Sequence, residues 1–150
     1  MKKFLPIAII FVILVLVAVF LVNSNNPFDN APQNDIKVLN NTILNDIYSV
    51  QRFQRKNGKT TDYIVPEIDK AARSLNTVLY ADDLKIVNER TGEDVLSTFF
   101  VYDENFEQIS VSNTLTIPKE KGTYYVGFDE VFEKVNEARG YAFYLKVVVN

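Results

Sequence analysis

The longest unbroken apolar run lies at the start of the chain. Phe4 to Val22, FLPIAIIFVILVLVAVFLV, holds nineteen residues with no charged or polar side chain. At about 1.5 Å per residue, a helix of that length covers roughly 28 Å, close to the ~30 Å hydrocarbon core of a bilayer. No polar face interrupts it, so it does not read as an amphipathic core helix. A cleaved signal has a core of about 7–15 residues followed by a small-residue cleavage site. Here the run is longer, and Asn23, Ser24, Asn25 and Asn26 follow it. The pattern predicts an uncleaved transmembrane helix, with a cleaved signal as the alternative. Pro6 falls in the first turn, where its missing N–H costs little.

Residues 23–34, NSNNPFDNAPQN, show no hydrophobic period and read as a tether stiffened at Pro27 and Pro32. From Asp35 the pattern changes to short apolar stretches separated by turn residues, which predicts strands. Ile36 to Leu39 and Thr42 to Leu44 flank Asn40-Asn41, and Ile47 to Gln54 and Lys59 to Val65 flank Asn57-Gly58. Both pairs read as hairpins, because Asn and Gly tolerate φ > 0. Val78 to Tyr80, Leu84 to Asn88, Val95 to Tyr102, Phe106 to Val111 and Thr114 to Ile117 follow. Of these, Val95 to Tyr102 (VLSTFFVY) is nearly all apolar and is expected to be a central strand.

Pro66 to Ser74, PEIDKAARS, departs from this rhythm. A leading Pro, early acids and late bases fit a two-turn helix, with an irregular crossing segment as the alternative. The end of the chain is the clearest part. Thr123 to Phe132 is a long strand, Glu133 to Ala138 a connection and Gly140 to Val149 the last strand. In that last strand Tyr141, Phe143, Leu145, Val147 and Val149 alternate with Ala142, Tyr144, Lys146 and Val148. A period of two over nine residues belongs to a strand and not to a helix.

Charge then orients the chain. Lys2 and Lys3 precede the apolar run, and Lys37 is the first basic residue after it. The positive-inside rule therefore places residues 1–3 in the cytoplasm and residues 23–150 outside. Of sixteen basic and nineteen acidic residues, all but Lys2, Lys3 and Asp29 lie in 35–150, which leaves that region at net −4. A negative balance argues against nucleic acid and against docking onto anionic lipid. With no cysteine there is no disulfide framework and no lipoprotein attachment. With no histidine there is no Ser-His-Asp or Cys-His catalysis and no imidazole metal site. A type IV pilin would need a prepilin cleavage motif and an early helical Glu, and neither is present. An exported domain without disulfides, behind a Lys-Lys start, reads as bacterial.

Ile117 to Val126, IPKEKGTYYV, followed by a strand and then by Gly140 to Val149, GYAFYLKVVV, resembles the end of small extracytoplasmic Ig-like domains of Firmicute membrane proteins and lipoproteins. Upstream, Asp46 to Val50 stands where that family has an aromatic strand, here without its Trp. Leu84 to Ile86 and Phe100 to Asn105 match a strand and a hairpin of the family, again without Trp and with Phe106 where Gly is usual. The resemblance implies an Ig-like antiparallel β-sandwich over 35–150 and carries over no catalytic residue.

Candidate chemistry is sparse. Arg52, Arg55, Lys56 and Lys59 surround Asn57-Gly58 and form a basic tip suited to phosphate, teichoic acid or head groups, or simply a charged edge that resists aggregation. Asp103, Glu104, Asn105 and Glu107, or Asp82-Asp83, offer hard oxygens without an EF-hand spacing. Glu67, Asp69, Glu130 and Glu133 would need a common cleft to act as a glycosidase pair. Ser49, Ser97, Ser110 and Ser112 lie in no nucleophile motif. Tyr124, Tyr125, Tyr141 and Tyr144 read as sheet-face residues, useful to a partner where exposed.

The expectation is therefore a mainly β chain in four parts: a cytoplasmic stub 1–3, a transmembrane helix 4–22, a linker 23–34 and an extracytoplasmic domain 35–150. Its expected role is a membrane-held binding module, accessory to another envelope protein. A cell-wall or glycan-binding domain is the alternative, and a His-independent hydrolase the remote one. No cofactor and no nucleic-acid partner are expected.

Overall fold

The structure is a computed structural model that describes residues 12–17, 32–41, 43–75, 78–80 and 84–150. The chain divides into two compact units, Met1–Pro32 and Gln33–Asn150. In the first unit, residues 12–17 are helical with exposed side chains. The rest of the expected span Phe4 to Val22 lies outside the described residues. Among the described residues no helix is long and apolar enough to cross a membrane.

Residues 32–34, expected in the linker, instead enter a 3-10 turn, Pro32–Asp35, with Pro32 buried. Ten strands follow: β1 (Ile36–Asn40), β2 (Ile43–Asp46), β3 (Tyr48–Lys56), β4 (Lys59–Asp62), β5 (Val78–Tyr80), β6 (Lys85–Asn88), β7 (Phe99–Tyr102), β8 (Gln108–Ser112), β9 (Gly122–Lys134) and β10 (Glu137–Val149). A single-turn helix, α1 (Ile68–Ala71), runs into a second 3-10 turn, Ala72–Ser74, so Pro66 to Ser74 is helical as read, but with one α turn in place of two. The strands make two sheets. The smaller has the order β2-β1-β6, and the larger β4-β3-β10-β9-β7-β8, with β5 added in parallel to the end of β10. All other pairings are antiparallel.

The two sheets share one core. Ile36 and Val38 of β1 and Ile86 of β6 pack with Phe99 and Val101 of β7, Val126 and Phe128 of β9, and Phe143, Leu145 and Val147 of β10. The predicted alternation supplies this face. Tyr141, Phe143, Leu145 and Val147 are all buried, and the Phe128 and Phe143 rings stack at 5.0 Å. No polar or charged side chain is buried among the described residues. This is β-sandwich character, as the strand pattern implied.

Four details depart from the sequence reading. β9 and β10 are thirteen residues each, joined at Val135–Asn136 with Asn136 at φ 64°, so Glu133 to Ala138 is mostly strand and not a connection. Charges hid it: Glu133, Glu137 and Arg139 pair with neighbours across or along the sheet and break the apolar alternation. β7 keeps only the last four residues of Val95 to Tyr102. Val95 N–H donates to Ile86 C=O (2.8 Å), so the segment crosses from one sheet to the other, and β9–β10 holds the centre instead. Thr114 to Ile117 forms no strand; Leu115 and Ile117 pack on the core without ladder partners. The first hairpin turns one residue late, pairing Asn40 with Ile43 and placing Asn41 at φ 46°.

The Asn57-Gly58 turn forms as expected, with Lys56 opposite Lys59 and φ of 50° and 76° at the two turn residues, but the return strand ends at Asp62 and not at Val65. Both angles are the positive values that a tight two-residue turn demands. The Asp103 turn also holds. There Phe106 sits at φ 65°, and its ring packs against Tyr125 at 4.8 Å.

Candidate functional site

Because strand side chains alternate, β9 and β10 present a second face opposite the core. That outer face carries Ala142 and Tyr144 of β10, Gly127 and Asp129 of β9, and Phe100 and Tyr102 of β7. The α1 segment covers part of it: Ala71, Val65, Ile68 and Leu75 cluster with Ala142, Tyr144, Tyr48 and Val50. The remainder is open. A groove of about 680 Å³ runs between the sheet and residues 62–68, within the size range of small-molecule sites. Its walls include Arg52, Phe53, Asp62, Tyr63, Phe100, Tyr102, Asp129 and Tyr144.

Local chain features shape the groove. A bulge in β3 leaves Arg52 without a partner on β10, between the pairs Gln51–Tyr141 and Phe53–Gly140. Bulges re-aim side chains, and here the Arg52 guanidinium meets the Asp129 carboxylate two strands away. The Arg52 carbonyl accepts from Tyr63 N–H (2.8 Å), which ties the start of the covering segment to the sheet. Tyr144 hydroxyl donates to the Pro66 carbonyl (2.9 Å), a second tie. Phe53 lies across Gly140, where an added Cβ would stand 2.2 Å from the ring. Gly127 is the floor; its neighbour is the Tyr144 ring, at 3.7 Å from where a Cβ would stand.

The Asp129 charge is felt at two tyrosines of the groove. Burial, and then the Asp129 charge, push the Tyr144 hydroxyl up to about 12; Arg52 opposes this with a smaller effect. Burial and Asp129 also raise Tyr102. Glu130, on the other face of β9, is raised, chiefly by burial and further by Asp129.

The residues singled out from the sequence fall elsewhere for the most part. Of the basic tip, Arg52 lines the groove and pairs with Asp129, and Arg55 pairs with Glu133 at 3.1 Å. Lys56 and Lys59 flank the turn, exposed and without an ion pair among the described residues. Two of the four are thus paired with β9 acids and two are not. Of Glu67, Asp69, Glu130 and Glu133, Glu67 alone lines the groove, and it pairs with Lys70 at 3.2 Å. Asp103 spends Oδ1 on its own turn, accepting from Asn105 and Glu107 N–H (2.9 Å each). Among the described residues no cluster of acids is placed to hold a metal ion; Asp82-Asp83 lies outside them. Ser97 hydroxyl donates to the Asp129 carbonyl (2.8 Å).

Sequence reasoning missed Asp129, Tyr102, Phe100 and Tyr63. One signal was available. Gly127 and Asp129 alternate with buried Tyr124, Val126 and Phe128, and a glycine inside a strand marks close approach or an open space above it. No protein-family model matches the chain, and neither does any curated protein or solved structure.

Proposed function

We propose that this chain is a binding module held at the outer face of a bacterial membrane by Phe4 to Val22, accessory to another envelope component, and that the outer-face groove is its ligand site. The observation that carries the reading is the groove itself: an aromatic-walled opening with a few fixed polar groups, on the sheet face that the fold leaves half covered. Such a combination is the usual form of a small-ligand site. The apolar run and the Lys2-Lys3 start support the anchor and its orientation. The lack of histidine and cysteine supports binding over catalysis.

The Ig-like assignment belongs to the same reading. Its support is the Ile117 to Val149 pattern, which builds the core hairpin. The larger sheet holds seven strands, whereas an Ig constant-type sandwich divides seven between two sheets, so strand count does not add to it.

A second reading, a cell-wall or glycan-binding domain, is favoured by the ring-lined groove, since sugars stack on aromatic faces. The topology is tested with an epitope after Asn150 and protease added to intact cells. Loss of the epitope from the membrane fraction is expected. An intact epitope, while a known surface protein is digested, would overturn the anchor and the role together.

A further inference from the structure

We propose that the groove, whose lining includes Asp62, Asp129 and the rings of Tyr63, Tyr102 and Tyr144, recognises its ligand through an ammonium group. The inference rests on reading the groove as the ligand site and adds the charge of what it takes.

Three carboxylates line the groove, those of Asp62, Glu67 and Asp129, against one basic residue, Arg52. Arg52 engages Asp129 Oδ2, while Oδ1 accepts no hydrogen bond among the described residues. Glu67 is matched by Lys70. Asp62 has no ion pair among the described residues. One net negative charge, that of Asp62, is therefore left at the groove. A neutral sugar would leave that charge unanswered, and an anion would be repelled by it. An ammonium group answers it and is also attracted to the negative face of aromatic rings, of which the groove has five besides Phe128, whose ring stacks in the core. The Asp129 field that reaches the Tyr102 and Tyr144 hydroxyls, exceeding that of Arg52 at Tyr144, agrees with this balance. The groove is open on one side, so a cation entering it keeps part of its water, and the desolvation that penalises buried charge stays small.

The test uses the full chain, ring-labelled at tyrosine, in a nonionic polyoxyethylene detergent. NMR follows titration with n-butylammonium and with Nα-acetyl-lysine amide; butanol, butanoate and N-acetylglucosamine serve as comparisons. Both ammonium probes are expected to shift Tyr102 and Tyr144 saturably, at about millimolar strength, while the core residues Tyr124 and Tyr141 stay still. Tighter binding of the lysine amide would assign the ammonium to a peptide side chain, and equal binding to a free amine. D62N should weaken binding about threefold to tenfold, and D129N at least as much, since it also frees Arg52. Raising NaCl from about 0.1 to 0.5 M should weaken it in the unaltered protein, which removes dependence on any variant's folding. The proposal is overturned if the ammonium probes leave Tyr102 and Tyr144 unmoved, if butanol matches butylammonium, or if salt has no effect. Should N-acetylglucosamine alone move those two residues, the ammonium is wrong and the groove remains the ligand site.

Discussion

On its inner face the β9–β10 hairpin buries Val126, Phe128, Phe143, Leu145 and Val147 to 2% exposure or less. On its outer face Ala142 and Tyr144 are covered by the α1 segment, while Asp129, two residues beyond Gly127, keeps 44% of its side chain in water. The strands are the same and the chain is equally regular on both sides. What differs is the cover. The inner face meets a second sheet with a matching apolar surface, and the outer face meets one short segment that reaches only part of it. Stability is thus concentrated on one side of a single hairpin, and freedom to bind on the other.

The largest effect should come from adjacent residues that point opposite ways. F143A removes a fully buried ring and should cost about 3–5 kcal/mol in denaturant unfolding. Y144F removes the bond to Pro66 and should cost about 1 kcal/mol. Equal losses would mean that the two faces are not distinct.

The two strand glycines sharpen the contrast further. G140A drives a Cβ into the Phe53 ring and should cost about 1–3 kcal/mol; G140A/F53A should cost less than the sum of the two single changes. G127A meets the Tyr144 ring only at ordinary contact distance, so it should be neutral or stabilise by up to about 1 kcal/mol while making the groove shallower. A thermal melt of each variant decides the matter, and a clear loss for G127A would show that the groove floor is packed and not open.

Smaller still is D129N. Its partner Arg52 is 42% exposed, so breaking the pair should change stability by about 1 kcal/mol or less. A loss of several kcal/mol would make Asp129 structural.

Alkaline pH gives the subtlest separation. Tyr144 has a folded value raised to about 12 against about 10 unfolded. Below pH 10 both states are protonated and there is no effect. Above it the unfolded state loses its proton first, so stability falls from about pH 10 through 12. Y144F should flatten that limb in alkaline unfolding.

The core was legible because its cause is local. Alternation from Tyr141 to Val149 and the Asn57-Gly58 turn are each written in a few adjacent residues, and both formed as read. The thirteen-residue length of the hairpin was not legible, because Glu133, Glu137 and Arg139 owe their place in a strand to partners elsewhere in the sequence or to each other. The groove was hardest to see. It depends on Arg52 meeting Asp129 across seventy-seven positions, and on how far residues 62–68 extend over the sheet. Neither has a short-range signature, apart from the glycine at 127.

The most direct measurement places a photocrosslinking benzoylphenylalanine at Phe100, inside the groove, or at Val135, the exposed tip of the β9–β10 hairpin, in otherwise unaltered chains on intact cells. A light-dependent adduct is expected from position 100 and none from position 135. An adduct from 135 with none from 100 would contradict that expectation.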